Sequence, residues 1–142
     1  MRIVIDTTTL VTGMLGMSYS SPPRQIFDVW IKKIPFTLLT SELQLDEVKR
    51  TMHKAYFIER ITSSTVGRYI NIIRDEGEVI HVTSSIEGIG THPEDDNIAA
   101  IAIDGKADYL VTSDLHFQQA IMPNKTKIVS PKQFLYLIRW SL

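Results

Sequence analysis

Residues 93–114 read Pro-Glu-Asp-Asp-Asn-Ile-Ala-Ala-Ile-Ala-Ile-Asp-Gly-Lys-Ala-Asp-Tyr-Leu-Val-Thr-Ser-Asp, and this stretch decides the fold class. A helix begins at Asp95 or Asp96, carries an Ile- and Ala-rich body and stops near Gly105 as a glycine cap. Tyr109–Thr112 follows as a short run whose Tyr-Leu-Val is continuously apolar, the mark of a strand covered on both faces. Working outward, Ile3–Ile5 is a first buried strand, followed by the turn-prone Thr7–Thr9 and a brief apolar segment through Leu15. Phe36–Leu39 reads as the second strand, Val79–Val82 as the third and Lys127–Val129 as the fifth.

Helical patterns fill the intervals. Ser21 before Pro22 and Pro23 starts a helix with Ile26, Phe27, Trp30 and Ile31 on its apolar face. Ser41 with Gln44 fits a capping box that opens a helix through about Lys54. Tyr56–Ile61 reads as a short helix, and Thr62 or Ser63 starts another carrying Val66, Ile70 and Ile73. Ser130-Pro131 caps a last helix bearing Phe134, Leu135 and Ile138. Strands alternating with helices predict an α/β sandwich of three layers around a central parallel sheet of about five strands. Met17 to Pro23 reads as a surface loop, so residues 1–142 are expected to form one domain.

Composition narrows the function. The chain has 142 residues, 44% hydrophobic and 22% charged, which excludes a disordered or fibrous chain. It contains no cysteine, excluding a disulfide scaffold, thiolate metal sites and a cysteine nucleophile. A formal charge of −1 argues against coating nucleic acid by bulk positive charge, while leaving local phosphate contacts open. No apolar run approaches the roughly 20 residues that span a bilayer, and strand pattern from the first residues leaves no room for a signal peptide. The expectation is a cytoplasmic protein without a membrane segment.

The acids fall where an α/β sheet builds sites, beyond the carboxyl ends of strands. Asp6 directly follows the first strand and Asp114 the fourth; Asp95 and Asp96 lie at a helix start, and Glu47 lies within the helix after strand two. Each has a structural reading: a carboxylate at a helix start caps amides, Asp6 can form a turn, and Glu47 can be a solvated helix charge. Jointly they have another. Carboxylates converging in one pocket repel by about 4 kcal/mol per close pair at an effective dielectric near 20. Such a cluster keeps protons or recruits a cation. With oxygen donors, no cysteine and no paired-histidine motif, that cation is Mg2+ or Mn2+, which renders a bound water acidic enough to attack a phosphodiester.

The order of these residues resembles the PIN-domain ribonucleases along almost the whole chain. The resemblance rests on Ile3-Val4-Ile5-Asp6-Thr7, on residues Ser41 to Val48 around Glu47, and most sharply on Pro93 to Ala100 followed by Ala107 to Asp114. Val129-Ser130-Pro131-Lys132-Gln133-Phe134-Leu135 is similar to the family's closing strand and helix. It is most similar to small prokaryotic PIN proteins of the VapC type, described as toxins of toxin–antitoxin pairs. The resemblance implies a parallel sheet with four acids at its carboxyl end and divalent-metal-dependent cleavage of single-stranded RNA. Asp6 matches the first acid, Glu47 the second, Asp95 the third and Asp114 the fourth, with Asp6, Asp95, Asp96 and Asp114 as metal candidates. Asp95 is preferred because it lies seven residues before Ala102; Asp96 competes for the role and Glu94 is placed to assist. Thr112 is expected to hold a carboxylate or a water by its hydroxyl. The sequence departs from the family at Ser113, where Gly is frequent, and at Thr8, where Asn is frequent and Thr is expected to support the first acid as a weaker polar substitute.

Lys49 and Arg50 follow Glu47 on its helix and are candidates for phosphate contacts, with a solvated helix face as their structural reading. Arg24 and His116 lie near the edges of the expected site. His53, His81, His92 and His116 lack metal-ligand spacing and are read as non-catalytic; Trp30, Tyr69 and Phe134 are read as core or interface, Asp46 and Glu42 as surface charges. Met14, Leu15, Met17 and Tyr19 suggest an exposed apolar interface. The resemblance also implies a small antitoxin partner and a homodimer. Two rivals stand beside the nuclease. Asp6-Thr7-Thr8-Thr9 faintly resembles the aspartyl-phosphate site of haloacid-dehalogenase phosphatases, although those need a second Asp where Thr8 stands. A non-catalytic PIN-fold module that binds RNA or protein is the rival from another class.

Overall fold

The computed structural model describes residues 1–16, 21–33, 36–54, 61–90 and 92–141. Its sheet contains β1 (Arg2–Ile5), β2 (Thr37–Thr40), β3 (Glu78–Val79), β4 (Tyr109–Val111) and β5 (Lys127–Val129), all parallel in the order β3-β2-β1-β4-β5. The helices of the described residues are α1 (Thr7–Leu15), α2 (Pro22–Lys33), α3 (Glu42–Met52), α4 (Ser63–Glu76), α5 (Pro93–Asp104), α6 (Leu115–Gln118) and α7 (Pro131–Ser141). The chain builds from β1 outward through β2 to β3, then returns to lay β4 on the other side of β1. The carboxyl ends of β1 and β4 therefore flank the switch in strand order, where parallel sheets leave a crevice.

The short apolar strands serve two cores by alternation. Ile3, Ile5, Leu38 and Val111 face a cluster with Leu10, Val11, Ile26, Trp30, Val48, Ile73 and Phe134 from the helices of one layer. Val4, Leu39 and Leu110 face the opposite side, against Ile98, Ile101 and Ala102 of α5 and Phe117 of α6. Burying such side chains contributes roughly 1.5–3 kcal/mol each, so both faces of each strand must be apolar. Trp30 and Phe134 are buried, Tyr69 packs at the edge of the same cluster, and Asp46 and Glu42 are exposed, as expected. Among the described residues no helix is long and apolar enough to cross a membrane.

Three local expectations are corrected. Thr7–Thr9 opens α1 rather than a turn, because the Asp6 side chain accepts the Thr9 N–H and offsets the weak helix preference of β-branched threonines. The third strand is only Glu78–Val79: β2 ends at Thr40, where Ser41 caps α3, so beyond Ile80 the chain has no backbone left to pair with. The helix expected from Asp95 or Asp96 starts earlier, at Pro93, whose missing N–H costs nothing in the first turn. The suggested apolar interface also changes: Met14 is buried, 1% exposed, and Leu15 packs against the core. Met17 and Tyr19 lie outside the described residues, as does nearly all of the short helix expected at Tyr56–Ile61.

Candidate functional site

Register brings the first pair of acids together. Ile5 pairs with Val111, and the Asp6 N–H donates to the Val111 carbonyl at 3.0 Å, so both strands release their chains side by side. Asp6 then caps α1, its Oδ1 accepting the Thr9 N–H at 2.9 Å, while its Oδ2 accepts the Thr112 hydroxyl. That same hydroxyl oxygen accepts the Asp114 N–H at 3.1 Å. Asp114 caps α6 through Oδ1, which accepts the His116 N–H at 2.8 Å. Thr9 adds a second tie: its hydroxyl accepts the Ser113 N–H at 3.0 Å and donates to the Ser113 hydroxyl at 3.2 Å. Two threonines thus lock the β1–α1 junction to the β4–α6 junction.

Glu47 enters from α3. It is 4% exposed, so the solvated-charge reading fails for it. Its Oε2 accepts the Thr7 hydroxyl at 3.0 Å and its Oε1 accepts the Asn97 side-chain amide at 3.0 Å, which links α3 to α1 and α5. In the threonine run, therefore, Thr7 and Thr9 hold the acids, whereas Thr8 points to an exposed surface. Lys49 and Arg50 are exposed on α3 beside Asp46 and His53. Arg24 is engaged with Asp28 along α2, at 3.1 Å.

The third acid sits on looser ground. Asp95 lies in the first turn of α5 and its Oδ2 accepts the His92 N–H at 3.1 Å. The loop entering α5 presses on it: a Cβ added at Gly90 would lie 2.3 Å from Asp95 Oδ2 and 2.4 Å from its Cβ. Asp96 turns to the loop, its oxygens accepting the N–H groups of Gly88 (3.2 Å) and Ile89 (3.0 Å). Gly88 has φ +74, a left-handed conformation that glycine adopts without strain. Farther along α5, Asp104 Oδ2 accepts the N–H groups of Thr83 and Ser84, at 2.6 and 2.9 Å. Two carboxylates of one helix thereby bind the segment that leads to the site.

Electrostatics mark the buried acids. Burial pushes the Asp6 carboxyl above its ordinary range, against the hydrogen bonds from Thr112 and Thr9, and the nearby Asp95 charge pushes the same way. Burial also raises Glu47, opposed by the bonds from Asn97 and Thr7 and by the Arg50 charge, and reinforced by Glu94. Among the described residues, the side chains close enough to share one cation are His92, Asp95 and Asp114, whose ligand atoms all lie within 4.8 Å of one another. Asp6 stands next to this trio, tied to Asp114 through Thr112 and coupled to Asp95 by charge; Glu47 stands beyond, reached through Thr7 and Asn97. This set of hard oxygen donors fits a divalent cation, whose charge would favour the ionised forms of Asp6 and Glu47 that burial opposes. His92, read from the sequence as non-catalytic for lack of metal-ligand spacing, joins the group here: Asp95 lies three residues on, but Asp114 comes from a distant strand end that no local spacing reveals.

A sequence profile of the PIN domain family matches residues 2–116. Among solved structures, PAE2754 from Pyrobaculum aerophilum is similar with a TM-score of 0.62 at 17% identity, over 98% of this chain and 90% of that one. VapBC2 from Rickettsia felis, solved bound to a DNA fragment from their promoter, is similar with a TM-score of 0.59 at 16% identity, over 92% of this chain and 98% of that one. At these identities the likeness is one of fold. No curated protein matches the chain in sequence.

Proposed function

The chain belongs to the PIN domain family, and from that premise we propose that it is a divalent-metal-dependent endoribonuclease hydrolysing phosphodiester bonds of single-stranded RNA in the cytoplasm. The observation that carries this reading is the gathering of Asp6, Asp95 and Asp114 around the β1–β4 switch, with buried Glu47 behind them. Asp6, Asp95 and Asp114 would hold Mg2+ or Mn2+, with Asp96 bound instead to loop amides. The ion, when bound, supplies charge neutralisation at the scissile phosphate and a more acidic attacking water.

The chain's own groups supply the rest. Thr112 positions Asp6 and the Asp114 backbone with one hydroxyl, so both acids move as a unit. Glu47, raised by burial and oriented by Thr7 and Asn97, is suited to orient the attacking water and accept its proton. Lys49 and Arg50, exposed on the same helix, would receive backbone phosphates of the RNA. By likeness to the VapC type, the partners of this nuclease are a small antitoxin protein and a second copy of the chain.

The test is cleavage of unstructured RNA by purified wild type and Asp6→Asn with Mn2+, Mg2+ or EDTA. Cleavage that needs the metal and disappears in the variant supports the reading. Metal-dependent cleavage retained by well-purified Asp6→Asn would sink it, and RNA binding without cleavage would favour a non-catalytic module.

A further inference from the structure

His92 is an exposed residue at the N-terminal boundary of α5, where an ordinary cap would be Ser, Thr, Asp or Asn. Its ring nitrogen lies with one oxygen each of Asp95 and Asp114 in a group spanning no more than 4.8 Å. Donors on opposite sides of an ion with bonds of about 2.1 Å lie about 4.2 Å apart, so a small side-chain adjustment suffices for all three to share one ion. Both carboxylates are already oriented: Asp95 Oδ2 by the His92 N–H and Asp114 Oδ1 by the His116 N–H. Each retains a second oxygen, Asp95 Oδ1 and Asp114 Oδ2, without a hydrogen bond among the described residues.

We propose that His92 is a direct metal ligand, forming with Asp95 and Asp114 a mixed nitrogen–oxygen site that takes Mn2+ in preference to Mg2+. The proposal rests on the metal-dependent reading above and refines its choice of ion. Mg2+ is held by oxygen donors and surrenders its waters reluctantly, and an imidazole offers it little. First-row transition ions accept imidazole nitrogen together with carboxylate oxygen, so one histidine in the set separates the two classes. The histidine is also the feature that distinguishes this site from the all-oxygen set expected from the sequence.

The experiment titrates the full chain with MnCl2 or MgCl2 by calorimetry and examines the Mn2+-loaded protein by pulsed electron paramagnetic resonance. A directly bound imidazole imprints nitrogen modulation on the Mn2+ signal. The expected result is modulation in wild type and in His116→Gln, its loss in His92→Gln, and a fall of about tenfold in the Mn2+-to-Mg2+ affinity ratio. His92→Asp, which restores an oxygen donor, should bind Mg2+ more tightly than wild type. Mn2+ bound by wild type without nitrogen modulation, or modulation that survives in His92→Gln, overturns the role of His92. If that happens while Asp114→Asn still abolishes Mn2+ binding, the metal-dependent reading stands without the histidine. Wild type that binds no Mn2+ removes both.

Discussion

Asp6 and Asp95 both stand at the beginning of a helix, and both accept a backbone N–H there, yet different parts of the molecule hold them. Asp6 emerges from the central strand β1, is 8% exposed, and is gripped by Thr112 from the neighbouring strand end. Asp95 stands half-buried on α5, against a loop whose own course depends on Asp96, Asp104 and the absence of a side chain at Gly90. The sheet register positions the first; an irregular segment and one close contact position the second. The difference teaches that this site has a rigid half built by β pairing and an adjustable half built by packing against a loop. Metal affinity and selectivity are most open to change in the adjustable half.

The largest effect should come from the rigid half. Asp6→Asn keeps the shape and the acceptor for the Thr9 N–H but removes the charge, and should lower cleavage by about a hundredfold or more. Because burial opposes ionisation of Asp6, the same variant should melt no lower than wild type in the absence of metal. A loss of activity accompanied by unfolding would mean that Asp6 serves the fold first. Gly90→Ala is the corresponding test of the adjustable half. Its methyl would overlap the Asp95 side chain, so Mn2+ affinity and cleavage should fall about tenfold with the melting temperature little changed. An unchanged Mn2+ isotherm would show that the loop does not set the third acid.

Thr112→Val probes the link across the rigid half. It leaves Asp6 Oδ2 and the Asp114 N–H without their shared partner at a buried position and should cost about 1–3 kcal/mol in chemical denaturation. Thr112→Ser should recover most of that loss.

The pH dependence separates the halves by sign. Asp6 and Glu47 have folded pKa values above their unfolded ones, so the folded chain binds their protons more tightly. Their ionisation therefore costs stability as pH rises from about 4 through the folded values. Asp104, held low by the Ser84 hydroxyl and by the backbone of Ser84 and Thr83, acts oppositely: its contribution is present near neutrality and lost as pH falls. The melting temperature of Asp6→Asn relative to wild type should thus be near zero difference at about pH 3 and grow more favourable toward pH 7. A flat difference would remove burial as the cause. The smallest effect is expected on the outer face: Lys49 and Arg50 changed together to Ala should weaken RNA binding about two- to fivefold and flatten its salt dependence, leaving Mn2+ affinity unchanged.

Legibility in the sequence followed the same division. The strand Lys127–Val129 and the cores around Trp30 and Phe134 were readable because apolar periodicity is a direct consequence of burial. Asp6, Asp95 and Asp114 were readable as candidates from their places at strand ends and a helix start. Glu47 taken alone looked solvated, a glutamate between Asp46 and Val48 on a charged helix; it entered the candidate set only jointly with the other acids, and the family resemblance then gave it the place of the second acid. The roles of Thr7, Thr9 and Asn97 had no local signal at all, and Thr8, the expected supporter, faces outward. Thr112 had one, its position two residues before Asp114.

By itself the sequence determined the layers, the parallel sheet and which acids lie at its carboxyl end, because hydrophobic period and strand-end position are properties of consecutive residues. Only the tertiary structure decided which of those acids meet, that Asp95 shares a group with His92 and Asp114 while Asp96 binds loop amides, and that one hydroxyl joins Asp6 to Asp114. The contacts that join β1, β4 and α5 link segments far apart in the chain, while those of Asp96 with Gly88 and Ile89 span eight residues or fewer and depend on how the loop turns back on the helix. They arise from the strand order β2-β1-β4 and from packing of a loop against α5, and distances of a few ångströms between such segments leave no periodic trace in the order of residues.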